Sequence, residues 1–490
     1  MVINDDIFTQ YPILNFFIIP INSYVILPHK KPINRELDPK NYFEPEQQIN
    51  ITRRSVAVKD RKFLWDDGII PYEIRDIFNG TERKLIKQAM RHWEQSTCIK
   101  FVERIKEAHG TYILFTKLNC GCCSLIGKRS KRRQYISLAD GCAEFGTVVH
   151  ELGHAIGFYH EHNRLDRDDY VQINYDHVED GFELEFSKLP AKDTSTLGQH
   201  YDYGSIMHYR SSAFATSPNI DTIVPLRKIN ERIPEIGQRN GLSKGDIDAT
   251  NLLYDCPKCG QTFFEPKHVF SLSTNADESQ IDFEYCQWTI RAARGEKIKL
   301  YITSLYSHYT PNCTVDYLEI RNGYQTNSTV LGRFCGEIKT VSLIADDYVT
   351  VTFIGVRYGS YRLGFLIEYE TVCGGYVYLK SNDIHYLESP NYPESYRRNK
   401  KCFWNFIAPE DHKISVVFDY FDLEDNRSCT NDFFEIRDGD YFDAPLIGIY
   451  CGNKENLNIT SSGEKLVLIF VSNKSKEAGG FSATISAQPN

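Results

Sequence analysis

The stretch from Gly146 to Arg164, GTVVHELGHAIGFYHEHNR, holds residue types at the spacing of a metal centre with a base beside it. His150 and His154 are four residues apart, so on a helix they lie one turn above each other on one face and can chelate one ion. Gly157 follows three residues later, where a helix commonly ends because glycine takes the left-handed conformation without penalty. His160 is then free to approach the same ion from outside the helix. Three neutral imidazoles leave a fourth coordination position for water, which is the open arrangement of catalytic zinc. Glu151, next to the first ligand, is placed to be the general base. The bland alternative is a helix whose histidines face solvent or core, and it leaves the five fixed residues to coincidence.

The flanks extend the pattern. Glu161 follows the third histidine, and Ser205 to Tyr209 read SIMHY downstream, where such a centre would have a methionine turn. On these residues the chain resembles the astacin family of zinc endopeptidases, and within it the tolloid/procollagen C-proteinase group. The resemblance implies an α+β metzincin catalytic domain with one zinc ion on His150, His154 and His160. It also implies that Tyr209 stabilises the oxyanion and that Met207 forms a packing platform under the metal. Glu161 would meet, through water, the amino terminus created when a propeptide is removed. Tolloid-group enzymes favour an acidic residue just after the scissile bond, and Arg239, with Arg232 behind it, is the expected basic pocket. Glu144, just ahead of the zinc-binding helix where the group tends to show lysine, opposes that preference.

These side chains need a scaffold. From Glu82 to Thr97, Leu85, Ile86, Ala89, Met90 and Trp93 recur at helical spacing, so an amphipathic helix should pack on a sheet, and Val102 to Phe115 supplies strand material. Phe63 to Tyr72, FLWDDGIIPY, resembles the opening of a mature astacin domain, and Arg53-Arg54 ahead of it is a candidate processing point. Residues 1–54 read as an N-terminal, propeptide-like segment, although neither a signal peptide nor the family's aspartate switch motif can be identified in it; Asp5 or Asp6 is the possible substitute.

The net charge of −9 and a pI near 5.9 argue against nucleic acid as main partner, and no run of eighteen apolar residues could span a membrane. Fourteen cysteines, with Asn-x-Ser/Thr sequons at Asn50, Asn79, Asn312, Asn327, Asn426, Asn458 and Asn473, indicate a secreted, extracellular protein. By resemblance, Cys98 joins Cys256 and Cys120 joins Cys142, leaving adjacent Cys122 and Cys123 to pair with each other. A structural metal or two free thiols are the alternatives there. The basic run Lys128 to Arg133 reads as a solvated loop, with an anionic substrate or matrix glycan as the sharper option.

Beyond Cys256 the sequence repeats. Cys259, Cys286, Cys313 and Cys335 recur as Cys373, Cys402, Cys429 and Cys451, and DYLEIRNG at Asp316 answers DFFEIRDG at Asp432. Short alternating runs argue for antiparallel β-sandwiches. They resemble CUB domains, all-β, with disulfides in sequential pairs. The expected organisation is therefore a catalytic domain over 55–256 and CUB domains over 259–371 and 373–487. The first copy lacks the Ser389–Pro393 segment of the second, so irregular early strands are expected in it. Only the second copy keeps acidic residues suited to a calcium ion, Glu424 and Asp432, since His308 stands where the first copy's glutamate should be. Asn473 in a late loop would add an uncharged oxygen. Two functions follow from this reading. One is a secreted metalloendopeptidase acting on extracellular matrix precursors or growth-factor antagonists; the other is a catalytically silent CUB-mediated binding protein.

Overall fold

A computed structural model describes residues 56–273, 283–356, 363–381 and 383–489. The N-terminal segment 1–54 and Arg53-Arg54 lie outside the described residues. Strands β1 (Ile69–Ile74), β2 (Lys100–Glu103), β3 (Tyr112–Thr116), β4 (Cys122–Ser124) and β5 (Arg133–Leu138) form a sheet of order β2-β1-β3-β5-β4, parallel except for the edge strand β4. Helix α1 (Gly80–Ser96) starts two residues before the sequence expectation because Asn79 closes a capping box with Glu82. Its apolar side, with Ile86, Ala89, Met90 and Trp93, packs into the same core as helix α2 (Phe145–Ile156). The Val102 to Phe115 stretch splits into β2 and β3.

Helix α2 ends at Gly157 as expected, at φ 135°, with its N–H on the carbonyls of Gly153 and His154. Helix α3 (Lys244–Leu253) closes the domain through a capping box of Ser243 and Asp246. Two sandwiches follow. In each, a five-stranded sheet faces a second sheet across a core containing Trp288 in the first copy and Trp404 in the second. The stretch of the first copy that answers Ser389–Pro393 falls within 274–282, outside the described residues. No helix among the described residues is long and apolar enough to cross a membrane.

All fourteen cysteines are paired. Cys98–Cys256, Cys259–Cys286, Cys313–Cys335, Cys373–Cys402 and Cys429–Cys451 form as expected. The pairing around β4 is a correction: Cys120 joins Cys123, and Cys122 joins Cys142. Consecutive residues of a strand point to opposite faces. Hence Cys122, opposite Leu138 in the register, turns to Cys142, while Cys123 points away from it and meets Cys120 across the turn at Gly121.

The outer side of α1 is covered by both sandwiches. Arg91 donates to the carbonyls of Asn391 and Tyr392, in the segment peculiar to the second copy, and Gln88 bonds Pro393 and Glu394. Lys87 pairs with Glu388 at 2.6 Å and Glu103 at 3.4 Å, Arg294 pairs with Glu103 at 3.1 Å, and Arg291 holds Glu94 at 2.6 Å. The opposed charges surround a cavity of about 310 Å³ that all three domains line. In this setting the neighbouring Arg294 and Lys87 overcome the burial of Glu103, holding its carboxyl down at about 2.

Candidate metal centre and cleft

The helix and its glycine turn bring His150, His154 and His160 together, all buried, with their ligand atoms within 4.8 Å of one another. Backbone carbonyls orient the first two rings. His150 Nδ1 donates to Ile206 O at 2.7 Å and His154 Nδ1 to Phe158 O at 2.8 Å, which leaves both Nε2 atoms as bare lone pairs. His160 Nε2 lies 3.0 Å from one and 3.3 Å from the other. Burial pushes all three imidazoles toward the neutral form, His154 down to about 4. Lone pairs converging at this distance repel one another unless a cation sits among them, so the donor set fits zinc.

Glu151 is fully buried and neither carboxylate oxygen has a hydrogen-bond partner among the described residues. Burial raises it to about 8, against the pull of Arg239. A buried, unpaired carboxylate is costly for the fold, so its partner has to come from the contents of the cleft. Met207 is also buried, and its sulfur packs so closely on α2 that a Cβ on Gly153 would stand 2.5 Å from it. The turn carrying Met207 is tied to α3, because Asp246 accepts from Ser205 Oγ at 2.6 Å and Ile206 N at 2.9 Å.

Arg239 reaches the same place. Its Nη1 donates to the carbonyls of Ile206, His208 and Gln238, clamping the turn on both sides of Met207, and its charge acts on His150, Glu151 and Tyr209. Arg232 is exposed, in a turn where its backbone exchanges hydrogen bonds with Ile229. Glu144 is the exposed N-cap of α2, with no side-chain bond into the helix. Tyr209 is buried with its ring 4.3 Å from that of His160 and 4.1 Å from that of His162. Glu161 accepts from Asp202 N at 2.8 Å and pairs with Arg164 at 3.3 Å, while its Oε2 has no partner among the described residues.

Sequence reasoning missed His162 and Glu185. His162 Nε2 bonds Glu185 O at 3.1 Å, which seats the loop of Glu185 against the ligand turn. The position of His162, two residues after the third ligand, was the available signal.

The family model described as astacin, a peptidase family, matches residues 57–255, and the CUB domain model matches 259–369 and 373–485. The "Bone morphogenetic protein 1 homolog" of Strongylocentrotus purpuratus is 40% identical over 441 residues, covering 89% of this chain and 68% of that protein. The chain belongs to the tolloid group of the astacin family. The "Dorsal-ventral patterning protein tolloid" of Drosophila melanogaster is likewise 40% identical over 463 residues, 90% of this chain, but the chain spans only 43% of that relative's length. Among solved structures, high choriolytic enzyme 1, a hatching enzyme zinc-protease from Oryzias latipes, is 38% identical over 41% of this chain and 99% of its own, with a TM-score of 0.38. In this tolloid-group astacin the peptidase domain carries a complete three-histidine zinc site.

Proposed function

We propose that the chain is a secreted endopeptidase that hydrolyses peptide bonds in extracellular matrix precursors or growth-factor-regulating proteins, with its CUB pair recognising the substrate. The observation that carries this reading is the buried, unpartnered Glu151 carboxylate beside three converging imidazole lone pairs. His150, His154 and His160 would hold zinc, which when bound polarises a carbonyl and brings the pKa of its water to about 7. Glu151 takes the proton of the attacking water and returns it to the departing amine nitrogen. The Tyr209 hydroxyl donates to the carbonyl oxygen as negative charge develops there. A silent, binding-only protein would leave the cost of burying Glu151 without a use.

Arg239 supports an acidic residue after the cut, since its hydrogen bonds among the described residues all run from Nη1, which leaves the rest of the guanidinium for a substrate carboxylate. Glu161 Oε2, buried without a partner, supports the reading in which a terminus freed near Arg53-Arg54 is received there. Seven disulfides fit an oxidising compartment. Proteomic mapping of the bonds cut by the purified protein tests the proposal. Enrichment of Asp or Glu just after the cut, abolished by phenanthroline, is expected; cleavage that survives chelation would refute the zinc reading, and a different preference would refute the role of Arg239.

The second CUB domain is proposed to take calcium, weakly, at roughly 10⁻⁴ to 10⁻³ M. Asp432 is fully buried, accepting from Tyr396 at 2.6 Å and from Asn473 N at 2.7 Å, and Glu424 faces the same loop. Asn473 turns its amide nitrogen to Glu424 at 3.2 Å and its oxygen to Ser475, so it offers no free carbonyl to the site, contrary to the sequence expectation. In the first copy His308 Nδ1 contacts Asp316 directly, so an imidazole stands where the second copy offers the Glu424 carboxylate. Calorimetry on the full chain should show calcium heat that Asp432→Asn removes and Asp316→Asn leaves intact. The opposite pattern would reverse the assignment.

A further inference from the structure

Tyr209 has a single hydroxyl proton, and the groups around it decide where that proton is donated. Its ring packs against both His160 and His162, with Phe214 at 5.7 Å. This packing fixes the hydroxyl oxygen more than it fixes the direction of its hydrogen. The hydroxyl's hydrogen bond among the described residues runs to Glu185 Oε2 at 3.5 Å. Glu185 is itself well seated, because its backbone carbonyl accepts from His162 Nε2 at 3.1 Å and Asn163 Nδ2 at 2.9 Å, and its neighbour Phe186 is buried in the core. The side chain is half-buried, so solvent does not fully screen its charge.

We infer that Glu185 is a positioning residue that withholds the Tyr209 proton. Its carboxylate competes with the substrate's carbonyl oxygen for the same hydrogen, so turnover requires the Tyr209–Glu185 contact to open. The inference rests on the peptide hydrolysis proposed above. An anionic acceptor is stronger than a neutral one, yet 3.5 Å is long for an O–H···O bond. The effect is therefore modest.

Glu185→Gln keeps the shape and weakens the acceptor. It should raise kcat about three- to tenfold with KM little changed, and it should do nothing in a Tyr209→Phe background. A fall in kcat, or an equal gain without the phenol hydroxyl, would overturn the inference. A second readout needs no activity. With 3-fluorotyrosine at position 209 of the zinc-free protein, the fluorine resonance should move on Glu185→Gln and stay on Glu183→Gln, whose carboxylate bonds Gly181 N instead. An active parent with an unmoved resonance sinks the inference alone, whereas a parent that cuts nothing sinks the proposed activity and the inference with it.

Discussion

Replacing Glu151 by glutamine is expected to leave zinc bound and to reduce proteolysis by about 10² to 10⁴, the usual worth of a general base. The substitution preserves shape but removes the only proton acceptor of the reaction, and the three imidazoles that hold the metal are oriented by Ile206 O and Phe158 O instead. Burial already holds Glu151 toward its uncharged form, raising it to about 8, so a neutral side chain of the same shape should leave the melting temperature close to that of the parent. Metal content by mass spectrometry, a casein assay and a thermal scan on one preparation check all three statements. A variant that keeps zinc and cuts casein at the parental rate would refute the assigned role.

Trp93→Ala is expected to destabilise the catalytic domain by about 3 to 5 kcal/mol. Trp93 is fully buried, stacks on Phe158 at 6.4 Å and donates its indole N–H to Val149 O at 3.1 Å, one residue before the first zinc ligand. The loss therefore combines a large cavity with a loosened seat for α2. Calorimetry of the full chain should show the catalytic-domain transition falling. If that transition moves by less than about 1 kcal/mol, Trp93 does not anchor the helix.

Much of this was legible in the sequence because it is periodic or local. The i, i+4 histidines, the glycine at the helix end and the repeat of four cysteines each dictate a geometry without reference to distant residues. Disulfide pairing in CGCC was not legible, because parity and resemblance carry no information about which face of β4 each sulfur takes. Where Arg232 sits was not legible either: sequence nearness to Arg239 does not place two side chains together across a turn. Glu185 was hidden since both its contacts with the site, carbonyl to His162 and carboxylate to Tyr209, exist only in the folded chain. Nothing within Lys87, Arg91 and Glu94 alone tells that their partners lie some two to three hundred residues away.

That last contact limits how freely these domains can be exchanged. A CUB domain is commonly treated as a bead that can be cut off or grafted elsewhere, but here α1 is a wall shared by three rooms. A catalytic fragment severed after Cys256 would strand Glu94 and Glu103 opposite no cation from Arg291 or Arg294 and leave Lys87 without Glu388. Chimeras with other tolloid-group chains should accordingly be joined so that 291–294 and 388–394 travel with the helix they cover.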